Sequence, residues 1–599
     1  MTARRWLSGA LAALCVAAVA LPSTAGTVRA YRVRNTMQPG SADDEIWCPP
    51  HIAVAGGHVW FTAFNEEDGF ALWRSDGTPA GTAAVKSFGS EIWVSGLAPA
   101  ETTGLGDGVL FAASDWVHGR ELWRSDGTVE GTAMVKEIWP GKGMGYETFL
   151  YGPSDLASLN EAVVFSVVVD SSTFPARSVP WVSDGTEAGT LKLADVLPDR
   201  IGEWDRPFTS LGARAVFFSG AQVWATDGTP AGTGVIAELP LPPTWGGVVA
   251  GGAYTFLDGT EIWRTDGTAA GTRMLLDLGS DLPDILTIVA STAEGFFFLR
   301  EWSEPNAFRH ELWFSDFEGA DPRIVYSYAS EESDPMQGCG NPCNCFYGVT
   351  AADLYFRGRP RNELWASDGT AAGTREVVDL DTLGISQITR IRGTRLGDLL
   401  LFEGTAAGTS SGQERGTTWC TDGTAAGLWP LGVHLPTWGS PGDGPVYLDG
   451  RVYFMGRTPD PPTLGLWAVA RVGVSVTAVG EAVTDELGGA ATLSVVLESK
   501  PLRAVTVPVA SSDPGEAGVW PAALTFTPED WDVPQLVAVT GRPDGVVDSD
   551  AAYTVRVGPA SSADPAYDAL DGAEVSLVNL DGGARVLRRR LLRGPAPRR

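Results

Sequence analysis

Histidine and cysteine are scarce in this chain, 5 and 6 among 599 residues. His51, His58, His118, His310 and His434 lie far apart and without the spacing of metal ligands, so no His-based metal motif is present. Basic residues are also few: Lys and Arg total 43 against 73 Asp and Glu, a formal net charge of -30. Several of those Arg sit in the basic C-terminal tail, which leaves the body more acidic still. Such a surface repels phosphate backbones and anionic headgroups, which argues against nucleic acid and membrane surfaces as partners of the body. After residue 25 no apolar run reaches the ~18–20 residues that span a bilayer. Long stretches of helix-forming composition are missing as well.

The abundant residues are 73 Gly, 40 Pro and 22 Trp, which supply turns and aromatic anchors and point to an all-β chain. At 599 residues it exceeds the ~250–300 at which one hydrophobic core stops growing, so more than one unit is expected. The N-terminus orders a basic pair, Arg4 and Arg5, an apolar run from Trp6 to Leu21, and small residues at Ser23 and Ala25. This is the order of a secretory signal peptide over residues 1–25, and it predicts a secreted or cell-surface location.

Self-similarity sets the architecture. Strings of the type ELWRSDGTPAGT recur around Trp73, Trp123, Trp181, Trp224, Trp263, Trp313, Trp365, Trp419 and Trp467. Periods of ~40–50 residues belong to propeller blades or helical arrays, and the alternating content of each unit selects blades. The unit around Trp73 reads as four strands, IAVA, HVWFTA, ALWRS and AAVKSF. A Gly-Gly turn, a variable loop and a DGTPAGT turn separate them. Asp-Gly gives the last turn its geometry, while the Asp carboxylate and Thr hydroxyl bond nearby backbone N–H groups. Asp76, Gly77 and Thr78 form the first such turn; Asp126, Asp184, Asp227, Asp266, Asp368 and Asp422 head the others. The tryptophans are expected to pack between neighbouring blades, with exposed sugar-stacking platforms as the rival reading.

Two copies decay. Asp316-Phe317 replaces Asp-Gly after Trp313, and the unit around Trp467 has three strands and no DGT turn. The unpartnered segment VRAYRVRN, Val28 to Asn35, suits the missing fourth strand and would close the ring. Nine four-stranded blades are expected over residues 26–471, with eight as the alternative if a degenerate unit is not a blade.

These strings resemble the bacterial ELWxxDGT repeat family, which consists largely of exported proteins without an assigned activity. From Val472 the composition shifts to Val, Thr, Ala and Pro, with alternating strands broken at short intervals. Residues 472–582 are predicted to form an immunoglobulin-like β-sandwich, followed by a basic tail over 583–599. Through SSDPGEAGVWPAALTFTPEDWDVPQ and VSLVNLDGG the segment resembles Calx-β modules. That resemblance implies calcium as a candidate cofactor, with Glu486, Asp548, Asp550 and Asp581 as the matching acids and solvated loop acids as the other reading. Where such modules carry Asp-Gly-Asp, this chain has Asp548-Ser549-Asp550.

In an oxidising compartment Cys48, Cys339, Cys343, Cys345 and Cys420 are disulfide candidates. Ser410, in Gly-Thr-Ser-Ser-Gly, formally matches a nucleophile elbow, but that elbow needs a strand-to-helix turn and the string falls in a loop between strands. No catalytic residue is nominated. The expectation is a non-catalytic binding or scaffold protein that presents non-repeating loops, Trp302–His310 and Asp115–Gly119 among them, to an extracellular carbohydrate or protein. A polysaccharide hydrolase or lyase with acids in the channel and a purely structural envelope component are the alternatives.

Overall fold

The computed structural model describes residues 27–36, 51–65, 67–89, 100–115, 117–139, 152–170, 177–199, 207–244, 247–259, 261–279, 283, 285–304, 307–330, 347–350, 352–358, 362–392, 399–406, 417–424, 427–433, 444–457, 464–543 and 549–581. The expected signal segment and basic tail, together with Ser410, Asp548, Cys48, Cys339, Cys343 and Cys345, lie outside them. Among the described residues no helix is long and apolar enough to cross a membrane.

The chain is all-β and divides into two compact units, Ala30–Ala470 and a second whose described residues are 27–29, 471–543 and 549–581. The first unit is a propeller of four-stranded sheets. Sheet 1 pairs Ile52–Ala55, His58–Asn65, Gly69–Ser75 and Thr82–Ser87 in chain order. The same meander recurs over residues 100–136, 153–192, 209–238, 248–277, 285–330, 347–379 and 385–430, which are sheets 2 to 8. Sheet 9 takes three strands from residues 446–472 and its fourth from the other end of the chain: Thr27–Asn35 lies beside Leu464–Val472. Thr36 N donates to Leu464 O at 3.1 Å, and Tyr31 Oη accepts from Arg451 Nε at 3.1 Å.

Apolar clusters fill the spaces between successive sheets. Val33, Tyr453 and Leu466 of sheet 9 meet Ile52, Phe61 and Trp73 of sheet 1, and like clusters join each sheet to the next from sheet 1 to sheet 8. In the clusters joining sheet 9 to sheet 1, and each sheet from 1 to 8 to the next, the repeat tryptophan of one sheet faces the sheet before it. Directly across its own sheet each repeat tryptophan is paired with a phenylalanine. The pairs run from Phe61 and Trp73 through to Phe454 and Trp467 without exception in the nine sheets. In sheets 1, 4, 6, 7 and 8 the two rings stack, with centroids 5.8 to 6.5 Å apart.

The second unit has two sheets. One orders its strands Val474–Val479, Ala490–Leu497, Gln535–Gly541 and Ala517–Trp520, and the other is built on Val505–Ser511, Ala551–Val557 and Ala573–Leu580. Alternate residues such as Leu493, Val495, Val537 and Val539 are buried, the period-2 pattern that makes one face of each sheet a core.

Candidate functional site

The repeated polar residues are occupied inside their own sheets. In the turn of sheet 1, Asp76 Oδ1 accepts from Thr78 N at 2.9 Å and from Thr78 Oγ1 at 2.6 Å; Gly81 N donates to Thr78 Oγ1 at 3.0 Å. Thr82 Oγ1 donates to Thr78 O and meets Ser75 Oγ, which accepts from Gly77 N. The unit is therefore Ser/Thr-Asp-Gly-Thr-x-x-Gly-Thr, and the same bonds recur around Asp126, Asp184, Asp227, Asp266 and Asp368. Asp422 keeps its bonds to Thr424, although Leu428 replaces the closing Thr. Both glycines are required by geometry. The first has φ between 82° and 91° in all seven turns, and a Cβ on the second would overlap the Asp carboxylate. Asp316, without the Gly-Thr, instead accepts from Glu318 N and Ala320 N.

Hydrogen bonds from the Thr hydroxyls hold the Asp126, Asp184, Asp227 and Asp266 carboxyls below the usual range. At Asp368 burial pulls upward, but the Thr370 bonds outweigh it. A carboxyl depressed in the folded state contributes stability that is present above its unfolded pKa of about 4 and is lost as pH falls through the lower folded value. The melting temperature is therefore expected to drop between pH 5 and pH 2.5. Asn at positions 184, 227 and 266 together should flatten that slope, as thermal scans across the range would show.

The Glu of the ELW string has an equally local task. Trp263, Trp313 and Trp365 Nε1 donate to Glu261, Glu311 and Glu363 Oε2 at 3.1, 2.9 and 2.8 Å, and Trp224 Nε1 donates to Gln222 Oε1 at 3.3 Å. Where the residue two before the Trp is Ala71, Val179 or Gly465, the buried indole N–H of Trp73, Trp181 or Trp467 has no hydrogen-bond partner. Glu363→Ala should leave the Trp365 N–H unsatisfied and cost about 1–3 kcal/mol, while Glu363→Gln keeps an acceptor and loses far less. Urea titration of both variants reads the difference.

Chemistry that the repeat does not use lies at the opposite end of the sheets from the DGT turns, on the hairpins joining second and third strands. Sheet 6 departs most. The segment Trp302–His310, expected as a loop, is largely strand: Gly295–Glu304 pairs with Ala307–Asp316. Past Phe298 and Trp313 the pairing continues to Glu304 and Ala307, whereas in sheet 5 it stops at Asp258 and Glu261, two pairs past Phe256 and Trp263. Four more pairs extend the hairpin by about 13 Å.

On one face of that extension two guanidinium groups approach the half-buried Trp302 ring, Arg309 at 3.9 Å and Arg300 at 4.8 Å from its centroid, and Arg300 is also 5.6 Å from the centroid of the repeat Trp313. Arg309 Nε is 3.7 Å from Glu311 Oε1, and the buried Trp302 Nε1 makes no hydrogen bond. The other face carries a buried dyad: His310 Nδ1 is 2.8 Å from Glu301 Oε1, and the imidazole stacks on Tyr328 at 4.4 Å. His310 Nε2 has no hydrogen-bond partner. Nine residues separate His310 from Glu301 in sequence, but the register sets them directly opposite one another. In sheet 2 a smaller cluster forms where Asp115 accepts from Val117 N, His118 N and His118 Nδ1, the last at 2.7 Å. Nearby Glu121 accepts from Ile138 N and Trp139 N; burial outweighs those bonds and pushes its carboxyl up to about 7.

Among the sandwich acids, Asp581 N donates to Asp550 Oδ1 at 3.1 Å, and Glu486 N donates to Leu580 O. Asp550, Asp581 and Glu486 are thus neighbours in the fold. Among the described residues no three His, Cys, Asp or Glu side chains converge as a metal cluster, and the fourth candidate acid, Asp548, lies outside them. Cys420 departs from the disulfide expectation. It is a buried free thiol, pushed up to about 12 by burial and by Asp422. The residue after each repeat Trp points between sheets, where no second cysteine sits among the described residues.

No protein-family model and no curated protein matches the chain. Solved structures similar to it at low identity include a β-propeller domain and several enzymes. The β-propeller domain of the Trilobed protease from Pyrococcus furiosus is 12% identical with a TM-score of 0.28, over 53% of this chain and 94% of that one. An oligogalacturonate lyase in complex with manganese is 10% identical with a TM-score of 0.32, over 52% and 86%. Citrobacter koseri AztD is 13% identical with a TM-score of 0.29, over 55% and 82%.

Proposed function

We propose that this is an exported, non-catalytic binding or scaffold protein, and that the extended hairpin of sheet 6 is its principal contact with an extracellular carbohydrate or protein. The observation that carries this reading is the division of labour among polar groups. The recurring Asp, Thr and Glu serve turns and indoles, while Trp302, with Arg300 and Arg309 close to its ring, makes no hydrogen bond to the repeat. Two guanidiniums beside a half-buried indole suit a partner that carries carboxylate or sulfate groups. Placement on a hairpin held by a rigid sheet is the arrangement through which repeat scaffolds recognise ligands.

The test is a glycan and extracellular-polymer binding screen of the chain without residues 1–25, in calcium and in chelator, with cleavage of the same polymers assayed in parallel. Retention without cleavage is expected, and the paired substitution Trp302→Ala/Arg309→Ala should weaken it about tenfold or more. Cleavage of any retained polymer would instead favour the hydrolase or lyase reading.

A further inference from the structure

In sheet 2 the Glu of the ELW string has a different task. Trp123 Nε1 donates to Ala113 O at 3.0 Å, so the indole does not need the carboxylate two residues before it. Glu121 lies on the Trp123 side of its strand and is 0% exposed. Its two oxygens instead take consecutive backbone N–H groups, Oε2 from Ile138 at 2.8 Å and Oε1 from Trp139 at 2.9 Å. Residues 137–139 follow the outer strand Ala133–Lys136 and begin the passage from sheet 2 to sheet 3, at the end that carries the hairpins between second and third strands. One buried side chain thus fastens this passage to the sheet it leaves.

We propose that Glu121 is a pH-sensitive latch, closed on residues 137–139 in mildly acidic solution and loosened as the solution turns alkaline. Two effects compete in the closed latch. Removal from water disfavours the carboxylate and the paired N–H groups favour it; burial wins, Glu137 adds repulsion, and the closed carboxyl lies at about 7. Opened to water, the same carboxyl returns to the ordinary glutamate value of 4.5. A group raised in the closed form stabilises that form fully below its ordinary value and loses the advantage as pH rises through the raised one. Opening should therefore grow about tenfold or more between pH 5 and pH 8. The other charged groups around the latch are Glu137 on the passage, Asp115 and His118 on the adjoining hairpin, and Lys86, Glu67 and Asp68 on sheet 1. Lys86 is engaged elsewhere, over the Trp123 ring and donating to Thr132 O at 3.2 Å. His118, raised by its bond to Asp115, is the neighbour best able to imitate the effect, so the test separates it.

Hydrogen–deuterium exchange of the full exported chain, read by mass spectrometry at pH 5, 6, 7 and 8 and divided by the intrinsic pH dependence of exchange, measures the opening directly. Protection of the Ile138 and Trp139 N–H groups should fall about tenfold or more from pH 5 to pH 8, while the amides of Arg120–Ser125 in the same sheet keep theirs. Glu121→Gln keeps an acceptor but does not titrate, so it should remove the pH dependence. Glu121→Ala should leave both N–H groups poorly protected at every pH. His118→Asn and Glu137→Gln should each retain the dependence. Constant protection in the parent, a dependence that survives Glu121→Gln, or one that disappears with His118→Asn overturns the latch. A loss of protection shared equally by Arg120–Ser125 is unfolding of the whole sheet, and it overturns the latch as well. The latch does not rest on what the sheet 6 hairpin binds, so failure of either leaves the other standing.

Discussion

Val33→Asp is expected to unfold the propeller or lower its stability by more than about 3 kcal/mol, because it puts an unpaired carboxylate at a position that is 2% exposed. Val33 belongs to the strand Thr27–Asn35, which completes sheet 9 and packs with Ile52, Phe61 and Trp73 of sheet 1. Removing residues 27–36 altogether should be worse. Both the outer edge of Leu464–Val472 and the space between sheets 9 and 1 would open, and an open edge with apolar surface invites aggregation. Calorimetry with light scattering distinguishes the outcomes: a low, aggregating transition is predicted for both variants. A melting temperature within a few degrees of the parent would mean that the first strand does not close the ring.

The second large effect is expected at a glycine that carries no chemistry. Gly271→Ala sets a Cβ against the Asp266 carboxylate, which then cannot hold Thr268 N at 2.8 Å and Thr268 Oγ1 at 2.7 Å. Loss of those bonds, plus displacement of the turn, should cost about 2–3 kcal/mol, against ~1 kcal/mol for Asp266→Ala, which removes the carboxylate without forcing the backbone. Chemical denaturation of the two variants gives the ordering. If Gly271→Ala is as stable as the parent, the packing of the second glycine on the carboxylate is not what holds the turn.

The turn and the closing strand were readable in the sequence because their signals are local. Asp-Gly-Thr sits at fixed offsets from its tryptophan, and VRAYRVRN alternates within eight residues. The phenylalanine partner of each tryptophan was not readable, for a geometric reason. Phe256 precedes Trp263 by 7 residues but Phe402 precedes Trp419 by 17, because the intervening hairpin differs from sheet to sheet. Spacing therefore hides a pairing that register makes invariant. His310 and Glu301 were missed for the same reason, since only the length of the sheet 6 hairpin sets them opposite one another. Trp302 was visible as part of a non-repeating segment, but nothing local showed that Arg300 and Arg309 would both approach its ring. The Glu of ELW recurs in plain sight, and its bond to the indole two residues on follows only once both are known to lie on one face of a strand.

The central claim is that repeated residues hold the ring together while non-repeating residues do the binding. It is tested most directly by measuring melting temperature and polymer retention side by side for Asp266→Ala and for Trp302→Ala/Arg309→Ala. The account predicts a lower melting temperature with retention by the folded protein unchanged for the first, and retention by the folded protein weakened about tenfold or more for the second. Retention lost in Asp266→Ala while the folded fraction is unchanged, or kept in the hairpin pair, would contradict it.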